Sequence, residues 1–473
     1  MAERTPNQPR ENARKTGEQL KRPNEQEPLR NFKENTERCA EEIGGYLETG
    51  LLQSLPENFR PKYEELLDRH FDQLQETPTS PKCRFTLVLP AYREERVVRQ
   101  TLESLARQTD VSPEDFEVIL VNNYPEGQKP RLNDYDETGR KIGDHEDRTT
   151  EIAREFAATS KLRVMVVEQA FPKEVAGVGV ASKLGMDLAL KRQQESPGII
   201  GYYGTDTVFD ERWVKGVLDG FSADSVDGVR GVAKVGQLDN KVEDERGLHV
   251  LTPAELAEIL ELQGQKFEYN MRLRRIENDR RAGAGESTDQ LAGLPTLTAG
   301  MYAKIGGMKP KTSGEDWGLA QDVADQGHIR WNENMRTTTL ARIEQPRVEG
   351  GSMTEGLWTM FRAYNYGEGN LLDQDKNLLV EDPARTLMKN QFKDLLQKTL
   401  VGLGDEETDR QLLEFFQPDE LAQIKGLLAQ SQGDWEKFMK NLPPELVAKT
   451  EARLDSRFPK IKIAEAEEKL QSL

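Results

Sequence analysis

Four short polar segments of the chain carry side chains that could bind a ligand or move a proton. They are LPAYREE at 89–95, VNN at 121–123, GTDTVFD at 204–210 and GEDWGL at 314–319. Aspartate and glutamate can hold hard cations through oxygen or accept protons, and an asparagine amide can pair with the edge of a base or a ribose hydroxyl. Each segment alone also has a structural explanation, so its chemistry depends on the elements that position it.

Asp206 is the residue that we predict to be a metal ligand. It follows the apolar run IIGYY at 199–203, and an aspartate at the carboxyl end of a buried strand can hold Mg²⁺ or Mn²⁺. The alternative is a helix N-cap, formed by Asp206 or Asp210 before the helix that contains Trp213. We interpret Asp210 as the better cap and Asp206 as the better ligand.

Glu315 and Asp316 stand together at a predicted helix start, directly after a glycine. Carboxylates are common at this position because the helix dipole favours negative charge at the N-terminus. The functional interpretation makes Asp316 a general base. Asn122 has two explanations as well, because an asparagine at a strand end can recognise a base or cap a turn.

The elements around these segments predict an α/β fold. Short continuous apolar strands, RFTLVL at 84–89, FEVILV at 116–121, LRVMVV at 162–167 and IIGYY at 199–203, alternate with amphipathic helices. This alternation is typical of a mainly parallel sheet that helices cover on both faces. Ligands bind such sheets beyond the carboxyl ends of the strands, where the polar segments stand.

The rest of the chain is predicted to be mostly helical. Apolar spacing indicates helices at 31–76, 253–281 and 382–473, a helix that opens near 315, and strands near 329 and 338. The polar stretch 126–148 is predicted to be a mobile loop. We predict a disordered tail at 1–30, a helical segment at 31–80, an α/β domain at 84–356 and a helical region at 357–473.

Composition narrows the classes of partner and the location. The net charge of −18 disfavours a nucleic-acid partner, because such a surface repels phosphates. Two cysteines, Cys39 and Cys83, indicate no disulfide framework. No run approaches the roughly 18 apolar residues of a spanning helix, and the N-terminus lacks the apolar core of a signal peptide. We therefore predict a soluble, cytoplasmic protein without a transmembrane segment.

Together and in this order, LPAYREE, VNN, GTD and GED resemble the pattern of glycosyltransferase family 2 on the Rossmann-like GT-A fold. The resemblance extends over 84–356, and AGVGVASKLGMDLAL at 176–190 and LTAGMYAKIGGM at 297–308 are similar to further segments of the family. It implies a nucleotide-sugar donor such as a UDP- or GDP-sugar, Mn²⁺ or Mg²⁺, and an acceptor that the sequence does not identify.

The resemblance also implies roles for individual residues. Those expected to bind the nucleotide sugar are Pro90, Ala91, Tyr92, Glu94, Asn122, Lys183, Thr205 and Asp206. Asp206 and His328 would hold the metal, Asp316 would be the general base, and Glu315 beside it would contact the acceptor. Three arginines would close a segment over the diphosphate: Arg336, Arg342 and Arg347.

Two positions depart from the family pattern. The family usually has an aspartate where this chain has Gly204, and aspartates where Asn122 and Asn123 stand. The last aspartate of the metal motif, which generally touches the cation, is retained as Asp206. Loss of the earlier carboxylates is expected to change the nucleotide preference or weaken metal binding.

The resemblance implies an inverting transferase that works by direct displacement. A retaining GT-A transferase is the nearest alternative, and it would not need a base at Asp316. A nucleotidyltransferase would normally have a glycine-rich phosphate loop after the first strand, which LPAYREE is not. A catalytically silent GT-A scaffold is the alternative from another class, and Gly204 in place of aspartate favours it.

Overall fold

A computed structural model gives the fold of the chain. It describes residues 40–136, 140–194, 196–222, 226–237, 240–244, 246–282, 296–311, 314–341, 343, 353–402, 404–433 and 435–471. The predicted disordered tail, 1–30, lies outside these described residues.

The strands alternate with helices along the chain, as predicted. The strands are β1 Phe85–Ala91, β2 Phe116–Pro125, β3 Arg131–Tyr135, β4 Lys141–Glu146, β5 Val164–Phe171, β6 Ile199–Tyr202, β7 Thr207–Phe209, β8 Gly228–Gln237, β9 Lys241–Asp244, β10 Gly247–Val250, β11 Thr296–Thr298, β12 Ile329–Ala341, β13 Leu379–Val380 and β14 Ile461–Lys462.

The helices lie between the strands and at both ends of the described chain. The α-helices are α1 Ala40–Gly45, α2 Arg60–Gln75, α3 Val98–Ala106, α4 Thr149–Thr159, α5 Val178–Arg192, α6 Trp213–Gly220, α7 Pro253–Ala282, α8 Ala299–Lys304, α9 Glu315–Gln326, α10 Met353–Tyr366, α11 Pro383–Leu400, α12 Glu406–Leu412, α13 Pro418–Ser431, α14 Trp435–Asn441, α15 Pro444–Arg457 and α16 Ile463–Gln471. A π-helical turn, Tyr46–Gly50, and a 3₁₀ turn, Glu368–Asn370, complete them.

Eight strands form one mixed, mainly parallel sheet in the order β5-β2-β1-β6-β11-β8-β12-β7. β5, β2, β1 and β6 are parallel neighbours, and β8 and β12 form a further parallel pair. β11 and β7 pair antiparallel with their neighbours. The predicted α/β fold with a mainly parallel sheet is confirmed.

Helices cover both faces of this sheet. Val88 packs into a core with α5 and the N-terminal helices, whereas Leu87 and Leu89 pack into a core with α3 and α6 on the other face. All seven residues of β1 are buried. A strand buried on both faces needs a continuous apolar run, which is the pattern that the sequence shows.

α5 lies so close to β1 that Gly185 has no room for a side chain. A Cβ there would lie 2.3 Å from Cγ1 of Val88. Gly185→Ala is expected to destabilise the protein by about 1–3 kcal/mol, because overpacking moves the helix off the strand. Gly264→Ala in α7 is the matched control, since its Cβ would meet no atom within 4 Å and alanine should stabilise the helix by up to about 1 kcal/mol. Urea unfolding measures both changes, and equal stabilities would contradict the tight packing.

Two predictions of local structure are corrected. The stretch predicted to be a mobile loop contains an antiparallel hairpin, β3–β4, in which Arg131 pairs with Glu146 and Asn133 with Asp144. The two strands predicted near 329 and 338 are one strand, β12, with an irregular register between Trp331 and Arg336. A polar composition concealed the hairpin, because β4 is largely exposed and β3 buries only Leu132.

The helical ends pack in different ways. α1 and α2 share a core with α5, α8 and α9. The C-terminal helices form two separate cores, one with α7 and α10 and one among α11–α15. No helix within the described ranges is both long and apolar enough to cross a bilayer.

Candidate active site

The turn that follows β1 is held in a strained conformation by the start of α4. Arg93 has a φ of 59°, in the left-handed region that residues other than glycine rarely occupy. Thr149 Oγ1 accepts a hydrogen bond from the Glu94 N–H at 2.8 Å, and Glu95 Oε2 accepts one from the Arg148 N–H at 2.9 Å. Strain of this kind costs about 1–3 kcal/mol and persists where surrounding contacts fix the backbone.

The end of β2 lies beside this turn and presents two buried amides. Ala91 stands opposite Asn122 in the parallel register, and Asn123 Nδ2 donates to the Ala91 carbonyl at 2.9 Å. Asn122 Nδ2 donates to Thr150 Oγ1 at 2.8 Å. Asn122 Oδ1 is buried and accepts no hydrogen bond from the residues that the structure describes. A buried acceptor of this kind is available to an N–H donor of a ligand.

Thr205 joins the turn after β6 to the carboxyl end of β1. Its Oγ1 donates to the Pro90 carbonyl at 2.7 Å, and its own carbonyl accepts from Thr101 Oγ1 at 2.6 Å. The next residue, Asp206, is half-buried, and its carbonyl accepts from the Leu340 N–H at 2.7 Å. Pro90, Thr205 and Asp206 therefore lie along one edge of the sheet.

Gly204 leaves room for the carboxylate of Asp206. A Cβ at position 204 would lie 2.5 Å from Asp206 Oδ1, so an aspartate there would require the Asp206 side chain to move. Within the part of the chain that the structure describes, no three Asp, Glu, His or Cys side chains form a metal-binding group. One carboxylate fits the mode in which substrate phosphates and water supply the other ligands of Mg²⁺.

Glu315 and Asp316 begin α9 near the end of β6. Burial raises the pKa of Glu315 to about 7, and the neighbouring charge of Asp316 adds to the shift. Burial also raises the pKa of Tyr202 well above its ordinary value, with smaller contributions from Asp316 and Glu315. The buried Tyr202 hydroxyl has no hydrogen-bond partner among the described residues. Since Tyr202 lies just before the Asp206 turn, the acid pair and the predicted metal ligand lie at the same end of β6.

Glu315 is expected to make the protein less stable as the pH rises from about 4.5 to about 7. Its carboxyl holds a proton more tightly in the folded state, so its stabilising contribution is complete below the unfolded pKa of 4.5 and is lost as the pH rises through about 7. A shift of this size corresponds to about 3 kcal/mol.

Glu315→Gln should therefore be more stable than the wild type at pH 8, and the two should be similar at pH 4.5. Urea unfolding at both pH values measures the difference. The same change at the exposed Glu333 is the control and should show no such dependence. Equal stabilities of Glu315→Gln and the wild type at pH 8 would mean that Glu315 is not buried as a costly carboxylate.

The structure does not bring Lys183 to the carboxyl edge of the sheet, contrary to the prediction. Its side chain is fully buried on α5, where Nζ donates to Asp187 Oδ2 at 2.9 Å and to the Tyr46 hydroxyl at 2.8 Å. The hydroxyls of Tyr46, Tyr63 and Tyr302 also donate to Asp187, at 2.7, 2.6 and 2.8 Å. The π-helical turn after α1, together with α2 and α8, supplies these tyrosines, and the ammonium group is fully enclosed.

His328 is also far from the site, so its prediction as a metal ligand with Asp206 is corrected. It directly precedes β12, and its carbonyl accepts from the Asp227 and Gly228 N–H groups. Asp206 instead contacts Leu340, near the other end of β12. A strand advances about 3.3 Å per residue, and β12 covers nine register positions of β8 between these two contacts, so the two residues lie roughly 25–30 Å apart.

Only one of the three arginines predicted to close over the diphosphate lies in the described part of the chain. Arg342 and Arg347 lie outside the described residues. Arg336 is exposed on β12, where its Nε donates to the Glu333 carbonyl at 3.0 Å. Closure over a diphosphate stays a prediction for all three.

Sequence reasoning missed four residues at this edge: Tyr202, Asp147, Thr149 and Thr150. Tyr202 was counted as part of an apolar strand. Asp147 is buried, its Oδ1 accepts from Thr149 Oγ1 at 2.8 Å, and burial raises its pKa. The hairpin separates Asp147 from β2 in sequence, although the acid–threonine pattern before α4 is a helix-start signal that could have indicated it.

A comparison with models of known protein families supports the resemblance seen in the motifs. Residues 86–134, which include β1 and β2, match the model Glycosyl transferase family 2, so the resemblance seen in the motifs is confirmed over this segment. No curated protein matches the chain.

Three solved structures show the level of similarity. S. aureus TarS 1-349 has 12% identity and a TM-score of 0.35, with 74% of this chain and 88% of that chain covered. TarS 1-349 in complex with UDP-GlcNAc has 11% identity and a TM-score of 0.34 over the same shares. GalNAc-T7 with UDP, GalNAc and Mn²⁺ has 13% identity and a TM-score of 0.35, with 59% of this chain and 49% of that chain covered.

Proposed function

We propose that this chain is an inverting, metal-dependent hexosyltransferase that moves a sugar from a nucleotide-diphosphate-sugar donor to an acceptor hydroxyl. The observation that carries the proposal is the convergence of polar groups at the carboxyl ends of β1, β2 and β6. Hydrogen bonds tie Thr205 to Pro90 and Asn123 to Ala91, and the acid pair of α9 lies near Tyr202. The match to Glycosyl transferase family 2 over β1 and β2 supports the same activity.

The donor nucleotide would lie against the turn after β1. Pro90, Ala91, Tyr92 and Glu94 would line its pocket, and the buried Oδ1 of Asn122 would accept an N–H of the base. Uracil and guanine both offer such a donor, which is compatible with a UDP- or GDP-sugar. A fixed backbone at Arg93 supports this assignment because a strained turn is typical of a binding site.

Asp206 would hold Mg²⁺ or Mn²⁺ together with the phosphates of the donor. A bound divalent ion of this kind stabilises the charge of a departing diphosphate. The half-buried carboxylate beside Gly204 supports this role. Thr205 would fix the position of Asp206 through its two hydrogen bonds to the carboxyl end of β1 and to α3.

Asp316 would remove the proton of the acceptor hydroxyl as its oxygen attacks the anomeric carbon, and Glu315 would contact the acceptor. In this displacement the oxygen–carbon bond forms while the bond to the diphosphate breaks, so the anomeric configuration inverts. Alignment of the two substrates would supply much of the acceleration. A carboxyl with a pKa of about 7 beside Asp316 supports an acid–base role for the pair.

A silent scaffold remains the second candidate, and Gly204 is the observation that favours it. In that case the helical ends would bind a partner, and the carboxyl edge would bind no donor. The alternative of a retaining transferase shares every residue of the donor site. Product stereochemistry separates it from the inverting reaction.

Release of nucleoside diphosphate from a panel of UDP-, GDP- and other nucleotide sugars, with Mn²⁺ or Mg²⁺, tests the proposal. Release from one donor, followed by an inverted anomeric proton signal in the product, is the expected result. Retention of configuration would favour the retaining mechanism. No release and no donor binding by folded protein across the panel would favour the scaffold.

A further inference from the structure

The hairpin β3–β4 is attached to the turn after β1 through His145. The imidazole Nε2 lies 2.7 Å from Glu95 Oε1, and Nδ1 lies 2.8 Å from Asp134 Oδ1. Glu95 belongs to the turn, whereas His145 and Asp134 belong to the two strands of the hairpin. A single side chain therefore connects the two elements.

While both carboxyls are ionised, this geometry requires a protonated imidazole. A carboxylate only accepts hydrogen bonds, and a neutral imidazole has one N–H donor. Two carboxylates at hydrogen-bond distance from both nitrogens are satisfied together only when His145 carries two N–H groups and a positive charge. Loss of that proton breaks one of the two contacts.

Glu95 also controls the shape of the turn. Its Oε2 accepts from the Arg148 N–H at 2.9 Å, next to the contact between the Glu94 N–H and Thr149. The strained φ of Arg93 lies directly before these contacts. A carboxylate that His145 holds in place therefore helps to maintain a backbone shape that is unfavourable by itself.

The far side of the hairpin is anchored as well. Asn133 donates a hydrogen bond to Glu243 on β9. The neighbouring Asp244 accepts from the Tyr366 hydroxyl of α10 at 2.7 Å. Because β3–β4 follows the carboxyl end of β2 and β9 follows that of β8, the hairpin connects the two sides of the carboxyl edge.

We propose that His145 is a positioning residue for donor binding. Its imidazolium links the hairpin to the turn 92–95 through the contacts with Asp134 and Glu95 (the clasp), and so holds that turn in the shape that binds the nucleotide. This inference rests on the proposed function for its effect on donor binding, but the clasp itself can be measured without a donor.

The charged groups around His145 determine the direction of its pH dependence. Glu95 on the turn and Asp134 on β3 raise the pKa of His145, with the Glu95 hydrogen bond as the largest cause. Asp144 on β4 pairs with Arg131, and Arg96 follows Glu95 on the turn. At the start of α4, Asp147 lies near Glu95, and the Arg148 guanidinium pairs with Glu155. The clasp is complete below the ordinary histidine range and is lost as the pH rises through the raised pKa.

The test compares His145→Gln with the wild type between pH 6 and pH 9. At pH 6 the variant should show a donor KM about tenfold higher, which corresponds to about 1.4 kcal/mol, with kcat nearly unchanged. As the pH rises and His145 loses its proton, the wild-type donor KM should rise toward the variant's value. The variant lacks the imidazole, so its donor KM should not follow the titration of His145. Glu146→Gln on the same hairpin is the matched control, because it removes an exposed ion pair to Lys129, which precedes β3.

Hydrogen exchange of the amides at 92–95 provides a readout that needs no donor. Exchange should be faster in His145→Gln than in the wild type at pH 6, and equal in Glu146→Gln. Asp134→Asn is a second variant, and it should lower the pH at which the wild-type-like exchange is lost. Equal exchange and equal KM in all four proteins would overturn the clasp. Faster exchange with no donor binding in any protein would retain the clasp and reject the proposed function.

Discussion

Asp206→Asn is expected to lower the rate of sugar transfer by about 10³-fold and to leave the fold intact. The side chain stands at the end of β6, half-buried beside Gly204, where the proposed function gives it the divalent ion. Electrostatic stabilisation of a leaving group by a metal contributes several kcal/mol, and about 4 kcal/mol corresponds to this factor. The amide keeps the shape of the side chain, and the backbone contact with Leu340 does not involve the carboxylate.

Asp210→Asn is the matched control for this change. Asp210 is an exposed aspartate four positions further along the same segment, and we expect its variant to keep the wild-type rate. Diphosphate release at increasing Mn²⁺ measures both variants, and calorimetric donor binding with and without Mn²⁺ shows whether the metal response is lost. Equal rates for the two variants would reject Asp206 as the metal ligand.

The central strands of the sheet, β1, β2 and β6, were predictable because they are buried on both faces. Every residue of β1 is enclosed, so the sequence there had to be a continuous apolar run. The parallel register then brings Ala91 next to Asn122, and the motifs that follow these strands lie at one edge for the same reason. Local sequence pattern and the topology of parallel strands thus indicated the place of the site.

The direction of single side chains could not be predicted in the same way. Lys183 lies in a segment that resembles the donor side of the family, yet its ammonium group is turned toward Tyr46 and Asp187. That orientation depends on the π-helical turn after α1 and on α2, which are distant in sequence and share a core with α5. The prediction that His328 is a metal ligand was wrong for a related reason. The distance between His328 and Asp206 is fixed by the length and pairing of β12 rather than by the spacing of His328 from Asp316.

The hairpin shows a third limit of the sequence. β3 and β4 are mostly polar, with β3 largely half-buried and β4 largely exposed, so they lack the apolar alternation by which a half-buried strand is recognised. Their contacts are ion pairs and hydrogen bonds to residues far away in the chain, such as Glu95 and Glu243. Hydrogen bonds of this kind are specific in space but leave no periodic pattern, and the pairing partner of His145 could only be found in the structure.

The buried cluster around Lys183 carries the second large expected effect. Asp187→Asn is expected to destabilise the protein by about 3–5 kcal/mol, because it leaves a buried ammonium group without its counter-charge. Lys183→Met should cost less, about 1–3 kcal/mol, since the Asp187 carboxylate keeps hydrogen bonds from Tyr46, Tyr63 and Tyr302. The unequal number of partners on the two sides of the ion pair therefore predicts unequal costs.

Urea unfolding of the two variants measures this difference, and Lys191→Met on the same helix is the control. Lys191 pairs with the exposed Asp68 at 2.7 Å, and loss of a surface pair should cost at most about 1 kcal/mol. Neither Lys183→Met nor Lys191→Met should change the donor KM by more than about twofold, because Lys183 is enclosed by the π-helical turn after α1, by α2 and by α8. A large rise in the donor KM of Lys183→Met at unchanged stability would contradict a purely structural role for Lys183. It would mean that the cluster opens and lets Lys183 reach the donor.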